Sequence, residues 1–102
     1  MPNQALTEAV YYILLSLTKP MHGYGIMQNV ETLSNGRVKL AAGTLYGAIN
    51  TLLDKGFIVA LSSGADSRKK EYQITEKGKE VLLAEIARLR ELLQNGTNIL
   101  GE

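Results

Sequence analysis

Three groups of residues in this sequence carry side chains suited to chemistry, and all three suit the recognition of a nucleic acid. The first is a run of cations, Arg68-Lys69-Lys70. Clustered cations neutralise phosphates or reach into a narrow minor groove. The plainer reading is that they solvate the end of a strand and discourage edge pairing. The second group is Thr44, Gly47, Asn50 and Thr51, small or polar residues at helical spacing. Asparagine pairs with adenine through two hydrogen bonds, and threonine offers a hydroxyl and a methyl group to base edges. Gly47, with no side chain, would let a backbone come close. The plainer reading is the solvated face of an ordinary helix. The third group is Tyr24 and Tyr46, whose rings can pack while their hydroxyls reach a phosphate or a backbone group. Arg37 and Lys39 add two cations just before the second group.

The missing residue types narrow the field. The chain has one histidine, His22, and no cysteine. A structural zinc site draws on Cys and His, so none is expected. A Ser-His-Asp triad would have to use His22, and no nucleophile elbow or phosphate-binding loop is present. His22 reads better as a capping or packing residue. Neither an enzyme nor a bound cofactor is expected. With 102 residues and 45 % hydrophobic content, the chain suits one globular domain. The longest apolar run, residues 10–15, is too short to span a bilayer, and no secretory signal is visible. A cytoplasmic protein without membrane association is the expectation. The net charge of +1 is no argument for nucleic acid in itself, so the placement of the cations has to carry that reading.

Periodicity supplies the elements that would position these groups. Residues 6–18 repeat apolar side chains at helical spacing, with Tyr11, Tyr12 and Leu15 adding apolar surface beside the stripe. Lys19-Pro20 stops this helix. A second helix opens at His22-Gly23-Tyr24 and ends at Ser34-Asn35-Gly36. Residues 37–40 alternate, which predicts a short strand. A third helix over residues 42–55 has Leu45, Ala48, Ile49, Leu52 and Leu53 on its core side, with the second group of residues opposite. After Gly56 the period becomes extended. Residues 57–61 and 68–75, joined by a polar loop, predict a β-hairpin. Thr75 is the expected N-cap of a last helix that runs to Gln94 and stops at Asn95-Gly96. Three helices, a hairpin and a long helix give a mainly α fold with a small β-hairpin, a winged helix-turn-helix followed by a C-terminal helix.

Leu82, Leu83, Ile86, Leu89 and Leu93 form a heptad-like seam on that last helix. So small a domain leaves them little to pack against internally. They are expected to form a homodimer interface, with the first helix contributing. The boundaries follow: residues 1–75 as the winged-helix domain, 76–96 as the dimerisation helix and 97–102 as a tail.

Four motifs together resemble the PadR family of transcriptional regulators. They are His22-Gly23-Tyr24-Gly25-Ile26, Gly43-Thr44-Leu45-Tyr46, Leu52-Leu53-Asp54-Lys55-Gly56-Phe57-Ile58, and residues 68–78 with Tyr72, Thr75 and Gly78. The length is similar to the short subfamily with a single C-terminal helix. The resemblance implies a dimer joined through the first and last helices, a palindromic operator, and repression released by a small effector. It implies that the third helix enters the major groove and the wing lies near the minor groove, with Tyr24, Thr44, Tyr46 and Lys70 at the DNA. Gly47 stands where the family often has proline. Some short members hold flat aromatic drugs between subunits with the help of a tryptophan on the last helix, and this chain has no tryptophan. Tyr11, Tyr12, Leu15, Ile86 and Leu93 remain to line an apolar effector pocket.

The sequence thus predicts a regulator that binds double-stranded DNA, with half-sites about one helical turn apart. The competing reading is a winged-helix protein-interaction module that uses the same surface without DNA.

Overall fold

Thr7 opens the first helix. Its hydroxyl accepts a hydrogen bond from the Val10 N–H at 3.1 Å, and Glu8 follows in the first turn, where the helix dipole favours an acid. The computed structural model describes residues 5–61 and 70–101. Its helix α1 spans Glu8–Ser16. A two-residue strand β1, Met21–His22, leads into α2, Gly23–Leu33. Helix α3 spans Ala42–Asp54, the strands β2 and β3 span Ile58–Leu61 and Glu71–Ile74, and α4 spans Glu76–Leu100.

The core sits where α1, α2 and α3 converge over the sheet. Ile13, Leu14 and Leu17 meet Ile26 and Val30 of α2 and Leu45 and Ile49 of α3, all essentially removed from solvent. Ile58, Tyr72 and Ile74 close the core from the sheet side. A polar bridge joins the first two helices. The Ser16 hydroxyl donates to the Tyr12 carbonyl and accepts from the Asn29 amide, both at 2.8 Å. His22 caps α2, its Nδ1 accepting from the Gly25 N–H at 3.3 Å.

The expected hairpin is present as β2 against β3, antiparallel, with Ile58 opposite Ile74. It gains a third strand that periodicity does not reveal. β1 pairs with the other edge of β3, Met21 opposite Tyr72, so the order is β1-β3-β2. Two residues are too few to show an alternation.

The predicted strand at residues 37–40 does not form. Ser34 supplies the local hydrogen bonds instead: its hydroxyl accepts from the Val38 N–H at 2.9 Å, and its carbonyl accepts from the Arg37 N–H at 3.1 Å. Asn35 and Gly36 turn the chain with φ of 54° and 81°, a conformation those two residue types reach at low cost. The segment is a connector tied to the end of α2.

The last helix is longer than its stop signal suggested. It continues through Asn95 and Gly96 to Leu100, and Gly101 provides the left-handed cap at φ 80°. Residues 97–100, expected as part of a tail, therefore belong to the helix. A glycine inside a helix costs only about 1 kcal/mol, which the flanking turns absorb. At about 1.5 Å per residue, its 25 residues reach roughly 37 Å. The first part packs on α1 and the sheet, and the rest extends from the domain. Leu82, expected at the dimer seam, belongs to the first part and is buried in its own chain's core at 5 % exposure.

The start of α4 is fixed by close approach. The Thr75 hydroxyl donates to the Gly56 carbonyl at 2.7 Å and accepts from the Gly78 N–H at 3.1 Å. The Thr75 N–H donates to the Phe57 carbonyl at 2.9 Å. Gly78 is buried against that same carbonyl.

Candidate nucleic-acid interface

Helix α3 divides cleanly. Leu45, Ile49 and Leu52 face the core, while Gly43, Thr44, Gly47, Asn50, Thr51 and Asp54 are exposed. At 3.6 residues per turn, Gly43, Gly47, Asn50 and Asp54 fall on one line along the outward face. Among the described residues, nothing lies within 4 Å of where a Cβ would sit at Gly43 or Gly47. The first two turns therefore present bare backbone, and Asn50 is the central hydrogen-bonding side chain. The Thr51 hydroxyl donates back to the Gly47 carbonyl at 3.2 Å, leaving its oxygen able to accept.

Tyr46 leans off this face toward α2. Its ring covers Gly23, where an added Cβ would lie 2.8 Å from the Tyr46 Cζ. The hydroxyl is thereby held over the first turn of α2, beside Tyr24, which is 65 % exposed. A helix N-terminus with a tyrosine hydroxyl close by favours a phosphate oxygen. Burial, with a smaller contribution from Tyr46, pushes the Tyr72 hydroxyl above its ordinary pKa, so it stays neutral at the inner edge of this site.

Lys39 is exposed on the connector before α3, and Lys70 is exposed at the foot of β3. Arg68 and Lys69 lie outside the described residues. Arg37, by contrast, turns away toward α1, where its guanidinium pairs with Glu8. An open groove of about 530 Å³ runs along α2 from Tyr24 past Gln28 and Thr32 to Asn35 and Leu40. Of these residues only Tyr24 stands out in the sequence. Gln28, Thr32 and Asn35 form a row of polar positions every three or four residues, and such rows are common on solvated helices.

A second site lies between α1 and α4. A cleft of about 260 Å³ is lined by Leu6, Glu8, Tyr11, Tyr12, Glu85, Arg88 and Leu89. Tyr11 and Tyr12 both line it, ring centroids 5.8 Å apart and edge to face. Leu15, Ile86 and Leu93 do not line it. Leu15 packs against the core, Ile86 is half-buried one turn beyond Leu82, and Leu93 stands further out at 66 % exposure. The floor of the cleft is polar. The Glu85 carboxylate, 3 % exposed, accepts from the Leu6 N–H at 3.1 Å and from Arg88 Nε and Nη2 at 2.8 and 2.7 Å. Periodicity missed this pair because Glu85 sits among the leucines of the seam.

The Arg88 bonds hold the Glu85 carboxyl below its ordinary pKa, with burial opposing and the Leu6 N–H assisting. A carboxyl depressed on folding stabilises the fold above its unfolded pKa and withdraws that contribution as pH falls through the folded value. Thermal melting followed by circular dichroism should therefore show the wild type losing Tm as pH drops below about 4.3. Glu85→Gln should melt several degrees lower at pH 7 and converge with the wild type in acid. Parallel curves at every pH would remove Glu85 from this role.

These surfaces belong together on one kind of protein. The sequence profile of the PadR-like transcriptional regulators matches residues 12–84. The chain belongs to the PadR-like family. No curated protein matches it. Among solved structures, this PadR-like chain is similar to a PadR-like transcription factor of Bacteroides fragilis. The identity is 25 %, the TM-score is 0.70, and the likeness covers 89 % of this chain and 87 % of that one. A transcriptional regulator of Clostridium thermocellum shares the fold at 22 % identity and TM-score 0.73, covering 93 % of this chain and 90 % of the other. BpsR of Bordetella bronchiseptica, whose DNA binding is regulated by 6-hydroxynicotinic acid, shares it at 17 % identity and TM-score 0.72, covering 95 % and 69 %. The PadR-like chain is thus a winged-helix transcriptional regulator rather than an enzyme. Among the described residues, no helix is long and apolar enough to cross a membrane.

Proposed function

We propose that this protein is a cytoplasmic repressor that binds an inverted-repeat operator as a homodimer and is released by a small apolar effector. The outward face of α3 carries the reading. Its bare first turns and central Asn50 suit insertion into a major groove, with a solid apolar face behind. Tyr24, Tyr46 and Lys39 flank it as phosphate-binding groups, and Arg68, Lys69 and Lys70 of the wing complete the set. The homodimer rests on the exposed leucines of α4, Leu83 on its first part and Leu89, Leu92 and Leu93 further along. The effector site rests on the cleft beside Tyr11 and Tyr12. The likeness to BpsR supports it to the extent that the same fold accommodates control by a small aromatic acid. Repression follows the family resemblance.

Selection from a random duplex library at two salt concentrations tests the reading. An inverted repeat should emerge, its half-sites about 34 Å apart, and binding should weaken steeply as salt rises. Replacing Lys69 and Lys70 with alanine should flatten that salt dependence by about one unit of slope for each phosphate no longer neutralised. No motif at either salt would favour the protein-interaction module.

A further inference from the structure

The cleft and the reading helix share a set of side chains. Glu8 and Tyr12 line the α1–α4 cleft. Glu8 also holds Arg37: its Oε2 accepts from Arg37 Nε at 2.8 Å and pairs with Nη2. Arg37 is part of the connector that delivers the chain to α3. Its other anchors are Ser34, the Asn35-Gly36 turn, and the partly buried side chains of Val38 and Leu40. Among the described residues, no strand pairs with the connector to fix it from the other side.

We propose that Glu8 and Arg37 form a latch that couples occupancy of the cleft to the placement of the reading helix. This rests on the cleft being the effector site, and it gives that site a route to the DNA face. A molecule in the cleft competes for the space Glu8 occupies beside Tyr12. Moving Glu8 weakens the hold on Arg37. The connector then rests on its α2 side and on Val38 and Leu40, and the N-terminal turns of α3, which carry Gly43, Thr44 and Gly47, gain freedom in their angle of approach. The pair is solvent-exposed, at 64 % and 41 % of the two side chains. Pairs of that kind add little to stability. The coupling is accordingly a few-fold effect rather than an all-or-none switch.

The absence of cysteine makes the test direct. Leu6→Cys places one thiol at the cleft, and N-phenylmaleimide attached there fills it with an aromatic ring. Tyr11→Cys provides a second attachment point should Leu6→Cys fold poorly. Each is made with Arg37 intact and with Arg37→Met. Two readouts follow labelling: amide hydrogen exchange over residues 35–45, and affinity for the duplex recovered by selection. With Arg37 intact, labelling should speed exchange in that segment and weaken DNA binding about threefold. With Arg37→Met, labelling should change neither. Equal effects in both backgrounds, or none in either, overturn the latch. If the unlabelled protein binds no DNA, the regulator reading falls, and the exchange measurement alone decides the latch.

Discussion

In the proposed homodimer, Leu93→Glu should turn the dimer into a monomer and lower operator affinity by about a hundredfold or more. Leu93 is 66 % exposed on the part of α4 that leaves the domain, and Leu89, Leu92 and Leu83 are exposed on the same helix. Burying such side chains against a second copy contributes about 1.5–3 kcal/mol each. A two-fold interface repeats every substitution, so one glutamate per chain brings two carboxylates into a dry seam. The folded subunit should be unaffected, because Leu93 stands outside the core of its own chain. Light scattering reads the mass, circular dichroism the fold, and fluorescence anisotropy the affinity. The weaker binding follows from linkage: a dimer places its second reading helix at high effective concentration, and a monomer does not. A variant that stays dimeric at micromolar concentration would place the interface elsewhere. Leu82→Glu offers the contrast. That side chain is buried in its own core, so the substitution should unfold the subunit rather than separate the pair.

Gly78→Ala should destabilise the fold by about 1–3 kcal/mol, a fall of several degrees in Tm for a domain of this size. The sign is the informative part. In an exposed helix, replacing glycine by alanine stabilises by up to about 1 kcal/mol. Here the new methyl group would press on the Phe57 carbonyl oxygen and lie 2.7 Å from Ile74 Cγ1. The carbonyl has little freedom to yield, since it also accepts the Thr75 N–H. Gly47→Ala in α3 should behave in the opposite way, because its methyl group meets nothing within 4 Å among the described residues. It should raise Tm while weakening DNA binding, if the groove wall comes close to bare backbone there. Chemical denaturation of both variants checks the pair. Stabilisation by Gly78→Ala would show that the turn between α3 and β2 can move away from α4.

What the sequence disclosed depended on how local the cause was. Thr75 and His22 act on backbone groups three residues away, so their caps are legible from spacing. The core side of α3 is legible because three turns of one helix repeat the same signal. β1 is illegible: two residues carry no period, and their pairing partners Tyr72 and Glu71 lie far along the chain. The alternation at residues 37–40 misled because alternation describes side chains, whereas a strand also needs a neighbour for its backbone. Leu82 was misplaced for a related reason. A seam read from one helix does not say where the domain ends and the free surface begins. The cleft was half legible, since Tyr11 and Tyr12 advertise surplus apolar surface. Glu85 and Arg88 draw their meaning from Leu6, seventy-nine positions before Glu85.

The small strand β1 has a consequence for how such a regulator changes over generations. It stitches β3 to the start of α2, and the Tyr46 ring over Gly23 stitches α2 to α3. Sheet and reading helix are thereby one jaw. In the proposed homodimer the distance between two jaws would be set separately, by the far part of α4. On that reading, letters within a half-site and the spacing between half-sites would be encoded in different stretches of the chain. Inheritance can alter one while leaving the other intact, so a lineage can acquire operators of new spacing without relearning the alphabet.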